Sequence, residues 1–119
     1  MTRIIVAGSR DFTDYSRLCS RLDEIIADIH DEIEIVSGHA RGADSLGERY
    51  ARENGLKIAV FPANWDLYGK SAGVIRNQQM LDYASKETPL VVAFWDGCSR
   101  GTLDMIKRAR KAEIKTLIY

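Results

Sequence analysis

The sequence Leu-Val-Val-Ala-Phe-Trp-Asp-Gly-Cys-Ser-Arg-Gly-Thr at residues 90–102 passes from an apolar run into a loop of glycine, hydroxyl and charged residues. A short, continuously apolar run is typical of a strand buried on both faces of a parallel sheet. Thr102 is placed to cap the helix that follows. An ordinary capped turn would use the same residues. The two glycines and Arg100 instead favour a loop that binds a phosphate group at a helix N-terminus.

The same succession of strand, polar loop and helix recurs along the chain and predicts an α/β fold. The spacing of Leu18, Leu22 and Ile25, for example, puts one apolar stripe on a helix. The predicted strands are residues 4–7, 34–37, 57–61, 90–95 and 115–119, the predicted helices are residues 14–29, 42–54, 74–84 and 102–112, and residues 62–72 are predicted to form a loop. We expect a single domain over residues 1–119, with a parallel sheet of about five strands covered by helices on both faces.

Composition limits the classes of function that the chain can have. Its 17 basic and 17 acidic side chains cancel, which argues against a protein that coats nucleic acid nonspecifically. No apolar run approaches the roughly 20 residues that a membrane helix requires. The apolar segment at residues 4–7 is too short for a secretion signal. We therefore expect a cytoplasmic protein that does not contact the membrane.

Cysteine and histidine give no sign of a disulfide framework or a metal site. Cys19 and Cys98 have no spacing typical of either, and His30 and His39 lack partners at metal-ligand spacing. We therefore expect a reduced protein without a metal site, and nothing in the sequence requires a cofactor.

Two further loops repeat the combination of glycine, hydroxyl and arginine residues. Gly8-Ser9-Arg10 suits either a tight turn or a phosphate contact, and Ser37–Asp44 has the glycines of a phosphate-binding loop. If the first strand is central, these loops meet the loop after the fourth strand at the ligand-binding edge of the sheet. Asp44 suits either the helix dipole or a ribose hydroxyl. We expect Glu48 to be solvated or paired with Arg52.

The loop after the third strand adds aromatic and basic residues. Trp65 and Tyr68, beside Lys70, have the chemistry to stack on a base and contact its phosphate. For each ring taken alone, we favour the simpler interpretation that it covers the edge of the sheet. Arg76 and Asn77, early in the next helix, indicate polar chemistry rather than packing.

Taken together, these segments resemble the SLOG superfamily, in particular its small YspA/YpsA-like members. SLOG proteins have a Rossmann-like fold, and the group also includes the LOG nucleotide phosphoribohydrolases and the DNA-processing protein DprA. The resemblance spans nearly the whole chain. The segments that carry it are GSRDF at 8–12, VSGHARGAD at 36–44, FPANWDLYGKSAGVIRNQQM at 61–80 and FWDGCSRGT at 94–102.

The LOG enzymes split a nucleoside 5′-monophosphate into its base and ribose 5-phosphate. The resemblance therefore implies the same hydrolase activity as a candidate for this chain. Arg76 matches the arginine of their helical motif, whereas Asn77 stands where they have lysine. Met105 stands at the position of their catalytic glutamate, and a thioether cannot replace a carboxylate. Asp104 is adjacent, but one helical step turns it away by about 100°.

These observations favour a protein that binds a nucleotide or a nucleotide derivative resembling ADP-ribose. A hydrolase that cleaves an N-glycosidic bond is the alternative, and DprA-like binding of nucleic acid is less favoured because the chain is neutral. The residues predicted to bind the ligand are Gly8, Ser9, Arg10, Ser37, Gly38, Arg41, Gly42, Asp44, Lys70, Arg76, Asn77, Asp96, Gly97, Ser99, Arg100, Gly101 and Thr102. The candidate catalytic residues are Arg76, Asp104 and Glu48, with Asp44 as a further carboxylate.

We also expect a homo-oligomer, most simply a twofold dimer. The third predicted helix has apolar residues left over after its inward positions are filled, namely Met80, Leu81 and Tyr83. Members of the resembled family commonly associate. A small chain also offers only a shallow cleft, which a second subunit would help to enclose.

Overall fold

The computed structural model describes residues 1–119 and contains one parallel sheet. Its strands are β1 (Thr2–Gly8), β2 (Ile33–Ser37), β3 (Lys57–Val60), β4 (Thr88–Phe94) and β5 (Thr116–Ile118). The strand order is β3-β2-β1-β4-β5, and every neighbouring pair is parallel. The predicted Rossmann-like α/β fold is confirmed, and β1 is the central strand.

The helices connect the strands and cover both faces of the sheet. They are α1 (Tyr15–Ala27), α2 (Ala43–Glu53), α3 (Trp65–Tyr68), α4 (Ala72–Ala84) and α5 (Arg100–Lys111), with a 3₁₀ turn at Gly69–Ser71. The prediction of a plain loop over residues 62–72 was wrong, because the Asn64 side chain accepts a hydrogen bond from the Leu67 amide at 3.1 Å and caps α3. None of these helices combines the length and apolar character needed to cross a membrane.

The alternation of side chains along β1 divides the core into two layers. Ile4 and Val6 pack with Leu18 and Leu22 on the face covered by α1 and α2. Ile5 packs on the opposite face, against α4 and α5. A side chain of this size contributes about 1.5–3 kcal/mol when it is fully buried, so both faces stabilise the sheet.

The apolar residues of α4 are part of this core. Met80 and Leu81 are each only 2% exposed, and the Tyr83 hydroxyl donates to the Glu34 carboxylate. The expectation that these residues are left over for an oligomer interface was wrong, because α4 packs against both the sheet and α5. Any interface between copies of the chain must use other residues.

The loop after β1 is held against the start of α2. The Ala43 amide donates to the Ser9 carbonyl at 3.3 Å. Gly42 has φ +75°, and a side chain there would collide with the backbone of Ser9 and Arg10. This close approach brings Arg10 beside the loop that follows β2.

Candidate ligand-binding cleft

The loops after β1, β2 and β4 surround a cavity at the carboxyl edge of the sheet. Its volume is about 400 Å³. It lies where ligands bind in open parallel sheets, next to the central strand. The residues that line it are Ala7, Gly8, Ser9, Arg10, Asp11, Ala40, Asp44, Arg76, Asn77, Met80, Asp96, Cys98, Ser99, Gly101, Thr102 and Met105. We call this cavity the cleft.

One wall of the cleft is the N-terminus of α5. Ser99, and not Thr102, caps this helix: its Oγ accepts from the Thr102 amide at 3.5 Å and lies 3.0 Å from the Thr102 Oγ1. The amides of Arg100 and Gly101 make no hydrogen bond within the protein. Unpaired amides at the positive end of a helix dipole favour an anion.

The loop that leads into α5 is held by Asp96. Its Oδ1 accepts from the amides of Cys98 and Ser99, both at 2.8 Å, and these hydrogen bonds hold the pKa of the carboxyl below its usual range. The Asp96 amide donates to Ser9 Oγ at 3.1 Å. Ser9 also lines the cleft. Asp96 therefore shapes the loop and fixes Ser9 beside it.

Asp44 supplies a buried carboxyl to the opposite wall. Burial raises its pKa to about 6, although the Ala40 amide donates to Oδ2 at 3.2 Å and Arg76 opposes the rise. A carboxyl with this pKa is half ionised near pH 6 and keeps roughly a tenth of its protonated form at pH 7. It is therefore suited both to accept and to donate hydrogen bonds.

Arg76 reaches the cleft from α4. Its Nη1 donates to the Gly38 carbonyl, its Nε donates to Asn77 Oδ1 at 3.1 Å, and it forms no ion pair with a carboxylate. Burial lowers its pKa, but a guanidinium stays protonated at neutral pH. The structure thus fixes a charged arginine in the cleft without neutralising it.

The side-chain amide of Asn77 links α4 to α5 through hydrogen bonds from its Nδ2. Its Nδ2 donates to the Gly101 carbonyl at 3.1 Å and to Asp104 Oδ2 at 3.0 Å. Arg108 Nε also donates to Asp104 Oδ2, at 2.9 Å. Asp104 therefore lies outside the cleft, whereas Met105 lines it.

Glu48 forms a buried polar cluster beneath the loop after β2. Its Oε2 accepts from Ser37 Oγ at 2.7 Å and lies 2.9 Å from His39 Nδ1. The expectation that Glu48 is solvated or paired with Arg52 was wrong, because β2 and α2 enclose it. Neither Ser37 nor Glu48 lines the cleft.

A smaller cavity adjoins the cleft on the side of β2 and α4, and we call it the annex. Its volume is about 260 Å³. Its lining residues are Arg10, Gly38, His39, Ala40, Arg41, Pro62, Ala63, Trp65 and Arg76, of which Arg10, Ala40 and Arg76 also line the cleft.

Aromatic side chains of α3 lie on the surface beside the annex. Trp65 is 51% exposed and Tyr68 is 41% exposed. The interpretation that these rings cover the edge of the sheet stays a prediction, and α3 itself packs against the 3₁₀ turn and α4. Trp65 lines the annex, whereas Tyr68 lines neither cavity.

The remaining predicted residues are not among the lining residues of either cavity, although Gly97 and Arg100 are direct neighbours of lining residues at the start of α5. They are Gly42, Lys70, Gly97 and Arg100. Sequence reasoning missed Asp11, Cys98 and His39 as lining residues, although Asp11 directly follows Arg10 and His39 lies inside a predicted loop. No group of three His, Cys, Asp or Glu side chains is arranged to hold a metal ion.

The fold and this cleft define a Rossmann-like α/β protein with a ligand site at the carboxyl edge of its sheet. A model of the YspA, cpYpsA-related SLOG family matches residues 2–68. The chain is also 31% identical over 124 residues to the Gene 61 protein of Mycobacterium phage D29, an alignment that covers 100% of this chain and 97% of that protein. The chain therefore belongs to the YspA, cpYpsA-related SLOG family.

A solved structure with the same fold is the DNA processing protein A, DprA, of Streptococcus pneumoniae. The TM-score is 0.73 at 19% sequence identity, and the match covers 99% of this chain. The chain spans about half the length of that protein, with 50% of it covered. This likeness supports the fold.

Proposed function

We propose that this chain binds a nucleotide or a nucleotide derivative resembling ADP-ribose in the cleft. The observation that carries the proposal is the meeting of the unpaired amides at the start of α5 with Arg10 and Arg76. Dipole and guanidinium charges that converge in one concave site favour a phosphate group. Membership of the SLOG family supports a role related to nucleotides.

The proposed ligand lies with a phosphate at the N-terminus of α5. Ser9, Ser99 and Gly101 line that wall and offer hydroxyl or amide donors. Asp44 faces the sugar, where a partly protonated carboxyl is able to pair with ribose hydroxyls. Met80 and Met105 supply the apolar part of the wall against a base or ribose carbons.

Replacing Arg76 with alanine tests this arrangement. The substitution removes a charge-assisted hydrogen bond in a partly buried site, so we expect affinity for AMP or ADP-ribose to fall about tenfold or more. Isothermal titration calorimetry measures the change, and mass spectrometry of the purified protein identifies any nucleotide that copurifies. Arg110→Ala is the matched control, because Arg110 is exposed in the last turn of α5. Equal affinity of wild type and Arg76→Ala would contradict the proposed site.

Asp44 favours one second candidate, a hydrolase that cleaves the N-glycosidic bond of a bound nucleotide. A carboxyl with a pKa of about 6 is suited to protonate a leaving base near neutral pH. In this reaction, Asp44 donates its proton to the base as the N-glycosidic bond breaks, water adds to the anomeric carbon to give ribose 5-phosphate, and the proton that this water loses returns to the Asp44 carboxylate.

Chromatography of reactions with nucleoside monophosphates distinguishes the hydrolase from a protein that only binds. The hydrolase releases free base, and Asp44→Asn abolishes the release because an amide is not an acid. Asp104→Asn is the control, because Asp104 lies outside the cleft. No base release by the wild type under conditions where the nucleotide binds leaves binding as the function.

A further inference from the structure

We infer that the annex binds a second phosphate group, so that the ligand carries a diphosphate. This inference rests on the proposed nucleotide site in the cleft. The first phosphate and the nucleoside lie in the cleft, and the second phosphate reaches past Arg10 and Arg76 to Arg41 and His39.

The annex differs from the cleft in its charges. Asp11, Asp44 and Asp96 line the cleft, but no carboxylate lines the annex. The annex has Arg10, Arg41 and Arg76 on its walls, and none of the three forms an ion pair. Unneutralised guanidinium groups that converge on one cavity favour a multiply charged anion.

His39 is held with one ring nitrogen directed to the annex. Its Nδ1 lies 2.9 Å from Glu48 Oε2, and Glu48 is itself fixed by the Ser37 hydroxyl at 2.7 Å. A carboxylate at Nδ1 leaves Nε2 free for a ligand. The hydrogen bond to Glu48 fixes the ring, so that Nε2 is presented to a phosphate in the annex.

The backbone of His39 gives an independent indication of function. Its φ is +59°, in the left-handed region that glycine adopts far more readily than histidine. The His39 amide donates to Ser37 Oγ at 3.0 Å, and its imidazole is 57% exposed on the annex side. Backbone strain of this kind is concentrated at functional sites, and here it places the imidazole at the wall of the annex.

The two cavities are continuous through residues that they share. Arg10, Ala40 and Arg76 line both, and Arg76 is fixed by its hydrogen bond to the Gly38 carbonyl. A diphosphate bridging the cleft and the annex would therefore contact Arg10 and Arg76 along its length. Trp65 lines the outer end of the annex, where it would contact the group that the second phosphate carries.

Titration of the full chain with AMP, ADP and adenosine 3′,5′-bisphosphate tests this inference. We expect ADP to bind about tenfold tighter than AMP or more, because the second phosphate gains charge-assisted hydrogen bonds. His39→Gly should remove most of this advantage while AMP affinity stays unchanged. Its melting temperature should fall, because the buried Glu48 carboxylate loses its hydrogen bond to the imidazole, even though glycine relieves the strained φ. Arg41→Ala should weaken ADP binding about tenfold, and the exposed Arg110→Ala should leave it unchanged.

The outcomes separate this inference from the proposed function. If AMP and ADP bind equally well, or if His39→Gly keeps the full preference for ADP, the annex is not a phosphate subsite although the cleft still binds nucleotide. If the 3′,5′-bisphosphate binds tighter than ADP, the assignment of a diphosphate is overturned. If none of the three nucleotides binds, the proposed function itself fails and the inference fails with it.

Discussion

Asp44 shows how the fold sets the chemistry of a single residue. Its position in the first turn of α2 suits a carboxylate, because the helix dipole favours negative charge there. Burial acts in the opposite direction and raises the pKa from the ordinary 3.8 to about 6. The folded protein therefore binds a proton at this carboxyl over a pH range in which the unfolded chain has released it.

This difference predicts how stability depends on pH. Because the folded state binds more protons between about pH 4 and 6, the contribution of Asp44 to the free energy of unfolding decreases as pH rises through that range. Asp44→Asn removes the titrating group and keeps an oxygen to accept from the Ala40 amide. We expect the variant to match the wild type near pH 4 and to exceed it by up to about 3 kcal/mol above pH 6.

Urea unfolding at a series of pH values measures this difference. Groups that do not interact with Asp44 affect both proteins equally, so the difference between the two curves reports on Asp44 and its charged neighbours. Parallel curves from pH 4 to pH 8 would show that the pKa of Asp44 is not raised.

The loop residues that line the cleft were the easiest to place from the sequence. Ser9, Arg10 and Gly101 follow strand ends, and the parallel sheet brings such loops together. Glu48 was misassigned and His39 was missed, because their contact depends on how α2 lies against β2. The sequence spacing of Glu48 suits a solvated helix face as well as it suits a buried position that contacts the loop after β2.

At the scale of elements, the apolar runs predicted all the strands and the longer helices, and the observed ends lie within two residues of the predicted ones. The parallel ladder extends β1 and β4 to polar residues such as Thr2 and Thr88, which pair across the sheet. The four-residue helix α3 was missed because one turn is too short to show helical periodicity.

Ser99 caps α5 and also lines the cleft. One substitution at Ser99 should therefore affect both the stability of the protein and its affinity for nucleotide. Ser99→Ala removes the oxygen that accepts from the Thr102 amide. We expect the free energy of unfolding to fall by about 1 kcal/mol and nucleotide affinity to fall as well, because the cleft loses a hydroxyl.

Chemical denaturation and calorimetric titration measure the two effects on the same protein. Ser45→Ala is the matched control: Ser45 is exposed on α2 and its side chain makes no hydrogen bond. A change in Ser99→Ala no larger than in Ser45→Ala would contradict both roles of Ser99.

At the scale of the whole molecule, the exposed apolar side chains are concentrated in one segment. Val60, Trp65, Leu67, Tyr68 and Val74 are between 36% and 66% exposed, and Ile118 is the sixth large apolar side chain on the surface. This segment borders the annex through Trp65. If the chain forms the predicted homodimer, its apolar contact surface is available here rather than on Met80 and Leu81.

Leu67→Glu tests that location, because Leu67 is 66% exposed and its replacement costs the monomer little. We expect the wild type to sediment as a dimer at high micromolar concentration. A buried, unpaired carboxylate at the interface should make Leu67→Glu sediment as a monomer with the same melting profile at low concentration. Ile118→Glu, on the edge strand β5 and 37% exposed, should remain a dimer. A wild-type monomer would contradict the predicted dimer, and dissociation by Ile118→Glu alone would place the interface on β5 instead.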